Sequence, residues 1–278
     1  MTFMRYRHAA CALYIFIAVP ASAQAPVQSP AAEPQLVPPP AWAFNDLACA
    51  PSLDMAKKDS APPPVHRVIG SQDTAIRELL GMGDTLVISG GSNAGLQPGD
   101  RYYLRRRMTT RGGARELPPT IHTSGWIQIL GVDTTLATAT VVHACEGILL
   151  DDYLEPFTPP TIAARPLPGT TPHYDNMGHI MTGVEGVQTA GAGQVMTIDR
   201  GSNAGVVAGQ RFLVFRDKRD YRVETIGRSI PFSEMAGRLP LVEIGEVLVV
   251  AVRPNDSTVQ VLGSKDAVIS GDLIAPIR

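Results

Sequence analysis

The feature that most constrains this chain is a five-residue string, Gly-Ser-Asn-Ala-Gly, which occurs at 91–95 and again at 201–205. Each copy follows a run of β-forming residues, at 85–89 and 195–199. Each is followed by a glycine and a second such run, at 101–104 and 211–214. Five identical residues in matching contexts, 110 positions apart, predict a tandem duplication.

The likeness between the two halves continues at a second offset. With a step of 120, residues 125–156 align without a gap on 245–276, so that Asp152 falls on Asp272 and Pro156 on Pro276. The second half therefore carries ten extra residues between its second and third strands. Insertions are tolerated in surface loops because loop closure costs little per added residue. We therefore expect variable loops at 107–120 and 216–239.

The strand spacing predicts the fold class. Short runs at 65–70, 85–89, 101–106, 125–132, 136–142 and 152–155 are bounded by Gly, Asp and Pro, with no long amphipathic helix between them. Residues 73–80 are compatible with one or two helical turns. A small open sheet would leave two edges to protect. We predict an all-β protein with two tandem, homologous, small β-barrels of SH3-like or similar type.

The N-terminus predicts a secretory signal peptide at 1–23. Arg5 and Arg7 precede an apolar stretch too short to span a bilayer comfortably, and Ala21-Ser22-Ala23 is a small-residue cleavage site. The remaining chain holds 22 basic and 26 acidic residues, a net charge of −4. That balance draws the molecule neither to nucleic acid nor to an anionic membrane. We expect a periplasmic or otherwise exported protein, without nucleic-acid partners and without a transmembrane segment after cleavage.

Composition divides the rest of the chain. Residues 24–64 are proline-rich and predict a flexible segment, within which 41–55 are expected to pack against the first repeat. The first β-barrel repeat is predicted at 65–156 and the second at 178–278. Between them, residues 157–177 hold five prolines and predict a linker.

Two cysteines remain after removal of the signal peptide, Cys49 and Cys145. An even pair in an oxidising compartment favours a disulfide, which would tie the N-terminal segment to the first repeat. Two separate thiols are the alternative, because spacing alone does not establish disulfide geometry.

The repeated string has a structural and a functional interpretation. Glycine and asparagine tolerate positive φ, which predicts a tight turn. The functional alternative is a nest of backbone amides that binds an anion. A dinucleotide fingerprint fits badly, because each string leads into a strand rather than a helix. The predicted structural turn residues are Gly91, Asn93, Gly95, Gly201, Asn203 and Gly205.

One local basic cluster stands out, and its candidate binding residues are Arg105, Arg106, Arg107 and Arg111. Guanidinium groups suit carboxylates and phosphates, so peptidoglycan, lipid headgroups or an acidic partner are conceivable ligands. The alternative is a solvated hairpin with alternate arginines facing water, since a charge run usually reports exposure.

The sequence predicts no catalytic residue, metal or cofactor. Ser92 and Ser202 lack the Gly-x-Ser-x-Gly context of a nucleophile elbow. His173, Asp175 and His179 lie close together in sequence, but they straddle the linker and a strand start rather than a fixed scaffold.

A family resemblance rests on residues 194–216, with their glycine string, Gly209 and the strand at 212–216, and on 239–240, 244–246 and 268–276. In the first repeat, 67–71 and 83–84 match the corresponding opening. This pattern resembles the β domains that follow LysM modules in bacterial peptidoglycan-binding envelope proteins. It is also similar to the C-terminal domain of flagellar assembly protein T. No LysM module precedes the pair here, so the resemblance implies a non-catalytic envelope module and not glycan binding.

Three functions follow as expectations. The first is a structural or adaptor protein that docks to another envelope component through a barrel edge or the loops at 107–120 and 216–239. The second is a module that binds peptidoglycan or an anionic glycan through the arginine cluster. The third is a hydrolase or metalloenzyme.

Overall fold

The computed structural model describes residues 34–54, 66–73, 77–109, 118–217, 222–225, 228–231 and 241–278. The predicted signal peptide and Arg111 lie outside these residues. The described chain is mostly β-strand with a single α-helix, which agrees with the predicted all-β class. None of the described helical segments has the length and apolar character needed to cross a bilayer.

Within the segment predicted to be flexible at 24–64, residues 34–54 are packed. The part expected to pack against the first repeat, 41–55, contacts the first sheet within its described residues 41–54. Residues 34–54 form β1 (Leu36–Val37), α1 (Ala41–Cys49) and β2 (Ser52–Leu53). Good helix formers place Ala43, Leu47 and Ala48 on the buried side of α1. The helix is stabilised by contacts with strands far away in sequence, which the local composition of a proline-flanked segment does not reveal.

The first sheet has seven antiparallel strands. They are β2, β3 (Val68–Ser71), β4 (Thr85–Ser89), β5 (Arg101–Met108), β6 (Thr120–Val132), β7 (Leu136–Ala144) and β8 (Tyr153–Pro156). The order is β3-β4-β7-β6-β5-β8, with β2 on β6. The outer strands approach each other: the Val68 amide donates to the Asp152 carbonyl at 2.9 Å and the Leu154 amide to the His66 carbonyl at 3.0 Å. The sheet is therefore strongly curled.

These strands confirm the runs predicted between 85 and 155 to within a few residues. The helical turns considered for 73–80 do not occur in the described part of that stretch, residues 73 and 77–80. Instead, Leu80 forms a β-bridge with Ile148.

The second sheet is a closed barrel in the order β10-β12-β17-β16-β13-β19. Its strands are β10 (Gly178–Gly183), β12 (Val195–Ile198), β13 (Arg211–Arg216), β16 (Val242–Val252), β17 (Ser257–Ser264) and β19 (Leu273–Pro276). A short pair, β11 (Thr189–Ala190) and β18 (Val268–Ile269), lies beside it. The inserted loop contains a hairpin of β14 (Arg222–Thr225) and β15 (Arg228–Pro231).

The predicted linker also forms ordered structure. Its strand β9 (Ile162–Ala163) pairs with β1, and Pro172 forms a bridge with Ile277. Four 3-10 segments complete the described elements, at Ser92–Ala94, Tyr174–Asn176, Val184–Gly186 and Ser202–Ala204.

Each sheet encloses its own apolar core. Leu86, Ile127 and Ile129 are among the buried residues of the first, and Ile198 and Phe212 among those of the barrel. Burying each such side chain stabilises the fold by about 1.5–3 kcal/mol. The two cores hold the strands of their sheets in place, so that surface positions of the first sheet can be matched to surface positions of the barrel.

The strand pairings correspond between the sheets at fixed offsets. Tyr103 pairs with Trp126 on β5 and β6, and Leu213 pairs with Glu246 on β13 and β16. The pairing of β6 with β7 shifts register after Trp126 and after Ile129. That of β16 with β17 shifts after Glu246 and after Val249, 120 residues later. Each surface position in the first sheet therefore has a counterpart in the barrel.

Candidate functional site

The arginine cluster lies on β5, and its central member is engaged inside the chain. The Arg106 guanidinium donates to both carboxylate oxygens of Asp152 at 2.7 Å and to the Gly147 carbonyl at 2.8 Å. Glu146 lies 3.2 Å away. Burial lowers the pKa of Arg106, but hydrogen bonds and charge from Asp152 outweigh it and leave the pKa raised. Arg106 therefore stays charged as part of a two-pronged clamp.

The barrel contains the same clamp. Arg216 donates to both carboxylate oxygens of Asp272 at 2.9 Å and to the Ala267 carbonyl at 2.5 Å. Asp266 occupies the place of Glu146, 2.9 Å from the guanidinium. Asp152 and Asp272 are almost fully buried. A buried pair in both sheets indicates a structural role for Arg106 rather than a ligand-binding one.

The neighbouring arginines are also engaged. Arg105 bonds to Thr123, lies 3.3 Å from Glu155, and stacks over the Tyr103 ring with its guanidinium carbon 4.3 Å from the ring centre. Arg107 forms an ion pair with Asp54. Arg111 lies outside the described residues. The alternation of arginines into water that the sequence suggested is therefore not what β5 shows.

The glycine strings form 3-10 turns whose amides already have acceptors. In the first turn the Ser92 amide donates to the Asp133 carbonyl at 2.8 Å, and the Ala94 amide to the Gly91 carbonyl at 2.9 Å. In the second, the Ser202 amide donates to the Arg253 carbonyl at 3.0 Å. Amides that are bonded within the chain do not form an anion-binding nest.

The two glycines of each turn have different roles. A Cβ at Gly91 or Gly201 would collide with the carbonyl of Asp133 or Arg253, so those glycines permit close backbone approach. The closing glycines, Gly95 and Gly205, have φ of 86° and 76°. Asn93 and Asn203 lie inside the 3-10 turns and are not in the positive-φ region.

The outer surface of the first sheet holds helix α1. Cys49, at the end of α1, forms a disulfide with Cys145 at the end of β7. Phe44 packs edge-on against Trp126, with ring centres 6.0 Å apart. The His143 ring stacks on the Trp126 indole with ring centres 4.4 Å apart, and burial lowers the pKa of His143. We call the surface formed by Tyr103, Trp126, His143 and Cys145 the helix seat.

Helix α1 also touches the barrel. Ala43 and Leu47 pack with Val195 and Val250. Below the helix, the Thr197 hydroxyl donates to the Pro51 carbonyl at 2.8 Å.

Strand β2 continues this junction. The Leu53 amide donates to Asp256 at 3.0 Å, and Ser52 pairs with Ile121 of the first sheet. Residues 41–54 therefore join the two sheets through both apolar packing and hydrogen bonds.

The barrel positions that correspond to the helix seat form an open groove of about 460 Å³. We call it the barrel groove, and its lining includes Leu213, Glu243, Glu246, Leu262, Gly263 and Lys265. Leu213 takes the place of Tyr103, Glu246 of Trp126, Gly263 of His143 and Lys265 of Cys145. Small and charged residues thus stand where the seat has aromatic rings and a disulfide.

The histidines considered for a metal site are placed differently. The His179 ring lies 2.8 Å from Asp199, whereas the His173 backbone amide donates to the Pro276 carbonyl. Within the described residues, the group with metal-ligand spacing is instead Cys49, His143 and Cys145, whose ligand atoms lie within 4.8 Å of one another.

Sequence reasoning missed the two clamps and the helix seat. A signal for the clamps was present, because Arg106 recurs as Arg216 after 110 residues and Asp152 as Asp272 after 120. The signal for the helix seat was weaker. Trp126 of the first half aligns with Glu246 of the second, although the two halves are otherwise similar.

No protein-family model and no curated protein sequence matches this chain.

Proposed function

We propose that this chain is a non-catalytic, exported protein of the cell envelope, built from two copies of one β unit behind a signal peptide. The shared turn string, register shifts and arginine–aspartate clamps support a tandem duplication. The Cys49–Cys145 disulfide suits an oxidising compartment such as the periplasm. The proposal includes kinship with the β domains of LysM-containing envelope proteins and of flagellar assembly protein T.

The adaptor role is carried by one observation, the contrast between the two equivalent surfaces. In the first sheet the surface is covered by α1, so the same β framework accepts a short helix there. In the barrel, none of the residues that the structure describes covers the corresponding groove. We infer that a segment of another envelope protein occupies the barrel groove, as α1 occupies the helix seat.

The chemistry of the groove specifies that segment. Leu213 and the exposed Leu262 provide an apolar floor, and the Glu243–Lys265 ion pair of 2.9 Å provides a charged rim. An amphipathic helix fits this pattern, with apolar side chains on the leucines and charged side chains at the rim. Gly263 and Glu246 leave space that His143 and Trp126 fill in the helix seat.

Site-specific photo-crosslinking tests the adaptor role. A benzophenone amino acid is placed at Leu262 in the groove or, as the control, at Val207, which is similarly exposed on the barrel. Each variant is expressed in cells of the organism from which the protein comes, and the cells are then irradiated. We expect one dominant crosslinked protein from position 262 that is absent from position 207, and we expect Leu213→Glu to abolish it.

A second experiment distinguishes the adaptor role from the alternative that the chain binds glycan. Purified protein is incubated with protein-free peptidoglycan sacculi, with and without the double change Arg105→Ala and Arg107→Ala. Arg106 is left intact because it stabilises the fold. Crosslinks that persist in the Leu213→Glu variant, or that are equally strong from positions 262 and 207, would contradict docking in the groove. Sacculus retention that depends on the two arginines would replace the adaptor with a glycan-binding module.

A further inference from the structure

We propose that Cys49, Cys145 and His143 form a binding site for Zn²⁺ when the disulfide is reduced. The three side chains meet at the helix seat, with their ligand atoms within 4.8 Å of one another. His143 and Cys145 are two residues apart at the end of β7, and Cys49 approaches from α1. The site does not depend on the barrel groove, and its test is independent of the adaptor role.

The ligand set suits zinc. Zn²⁺ takes thiolate sulfur at about 2.3 Å and imidazole nitrogen at about 2.0 Å in a tetrahedral arrangement, which places ligand atoms about 3.5–4 Å apart. The two Sγ atoms are bonded to each other in the disulfide, so after reduction they must separate to this spacing by rotation of the cysteine side chains. The His143 nitrogen lies within 4.8 Å of both and needs to approach by at most about 1 Å. Two thiolates and an imidazole leave a fourth position for water, as in an open zinc site.

The framework holds the ligands together without the disulfide. Before Cys49, Phe44 packs against Trp126 and Leu47 against the barrel. After it, the Pro51 carbonyl accepts a hydrogen bond from Thr197, and Ser52 pairs with β6. Cys49 is thus fixed from both sides, and we expect its thiol to stay beside Cys145 after reduction.

The chemistry balances with a dithiol as reductant. The dithiol supplies two electrons and two protons, is itself oxidised to a disulfide, and converts the Cys49–Cys145 bond into two thiols. Binding of Zn²⁺ then displaces both thiol protons to solvent, so affinity rises with pH. A small-molecule disulfide reverses the step: it accepts two electrons from the zinc-bound thiolates and two protons from solvent, becomes two thiols, and leaves the Cys49–Cys145 bond re-formed and the metal released. The disulfide and the zinc site are therefore mutually exclusive states.

The experiment compares the oxidised and reduced full chain. Reduced protein is freed of reductant under anaerobic conditions, mixed with one equivalent of Zn²⁺, desalted and analysed for metal. A parallel sample receives Co²⁺, whose visible absorption reports tetrahedral thiolate coordination. We expect about one metal per reduced chain and no retained metal in the oxidised chain.

The matched variant is His143→Phe, which keeps an aromatic ring on Trp126 but removes the nitrogen ligand. We expect it to form the disulfide normally and to lose most of the tetrahedral cobalt absorption when reduced. Equal metal retention by oxidised protein, or an unchanged cobalt spectrum in reduced His143→Phe, would overturn the proposal. Failure of the reduced wild-type chain to retain metal, whether it stays folded or not, would overturn it as well.

Discussion

The helix seat and the barrel groove occupy the same place on two similar sheets, yet α1 covers the seat and no described residue covers the groove. In the seat, Trp126 contacts Phe44 and His143, and Cys145 bonds to Cys49. In the groove, Glu246 and Lys265 take the positions of Trp126 and Cys145. The pairing of the strands beneath is alike in both.

The difference between the helix seat and the barrel groove indicates that one set of residues determines the strand framework and another set determines the surface above it. The arginine–aspartate clamps and glycine turns are retained in both sheets and hold the strands in register. A few outward-facing side chains then decide whether the surface binds the chain's own helix or is left uncovered by the described residues. Substitutions at corresponding positions of the two sheets test this division between framework residues and surface residues.

The largest expected effect is loss of a clamp. Asp272→Ala removes the buried carboxylate that accepts two hydrogen bonds from Arg216, which costs about 3–5 kcal/mol of unfolding free energy. Asp152→Ala should cost a similar amount if the clamps are equivalent. Urea denaturation measures both. The control is Asp266→Ala, whose carboxylate is 64% exposed and whose loss should cost no more than about 1 kcal/mol. A cost for Asp152→Ala as small as the control would break the equivalence.

The next effect distinguishes the two surfaces. Trp126→Ala should cost about 3 kcal/mol, because the buried indole holds α1 and leaves a cavity when removed. Its counterpart Glu246→Ala removes a partly exposed side chain and should change unfolding free energy by less than about 1 kcal/mol. Chemical denaturation monitored by circular dichroism checks both variants. Similar costs at 126 and 246 would show that the two surfaces are not differently covered.

The disulfide is expected to contribute a comparable amount. Cys49 and Cys145 are 96 residues apart, and removing such a cross-link typically costs about 2–4 kcal/mol, largely through the unfolded state. Cys49→Ser/Cys145→Ser should therefore lower the denaturation midpoint in oxidising buffer. The reduced wild-type protein serves as the matched comparison. A midpoint unchanged by both treatments would mean that α1 is held entirely by its packing.

The smallest expected effect is a pH-dependent contribution to stability from a carboxylate in the barrel, at a place where the first sheet has a hydroxyl. The Arg67 amide donates to the Ser89 hydroxyl, and at the corresponding place the His179 amide donates to Asp199 at 2.6 Å. Burial raises the pKa of Asp199, but hydrogen bonds from His179 and the charge of Arg200 outweigh it, so the pKa is lowered overall. The carboxylate thus stabilises the fold above about pH 4 and loses this contribution as the pH falls further.

Thermal unfolding between pH 7 and pH 3 measures that contribution. Asp199→Ser, which copies the first sheet, should lower Tm by about 2 °C at neutral pH. The difference between the variant and the wild type should shrink as the pH falls below about 4, because the carboxylate becomes protonated. A difference in Tm that is constant across the pH range would exclude the carboxylate charge as its cause.

Much of the fold could be predicted from the sequence because it is local. The alternation at 85–89 and 136–142 marked strands, and the repeated glycine string marked both turns. The closed barrel of the second half followed from short, evenly spaced strands with no helix between them. The first half, also predicted as a barrel, is instead a curled seven-stranded sheet that is not a closed barrel. The offset of 110 and then 120 placed the insertion that contains β14 and β15.

The rest depends on contacts that are distant in sequence. Helix α1 has a short apolar stretch next to prolines, and it is stabilised by Trp126 and Val195 rather than by its own propensity. The arginines of β5 resembled an exposed basic run because Asp54 and Asp152 lie far from them along the chain. A pattern read along one strand does not show which carboxylates the fold places beside it.

Hydroxyl-radical footprinting of the purified, oxidised protein measures most directly whether the helix seat is covered and the barrel groove open. The two tryptophans provide an internal standard, since Trp42 is 70% exposed and Trp126 only 5%. We predict strong oxidation of Trp42 and of Leu262 in the groove, with Trp126 and Tyr103 protected. Oxidation of Trp126 at the rate of Trp42, or protection of Leu262 in the isolated protein, would contradict the covered seat and the open groove.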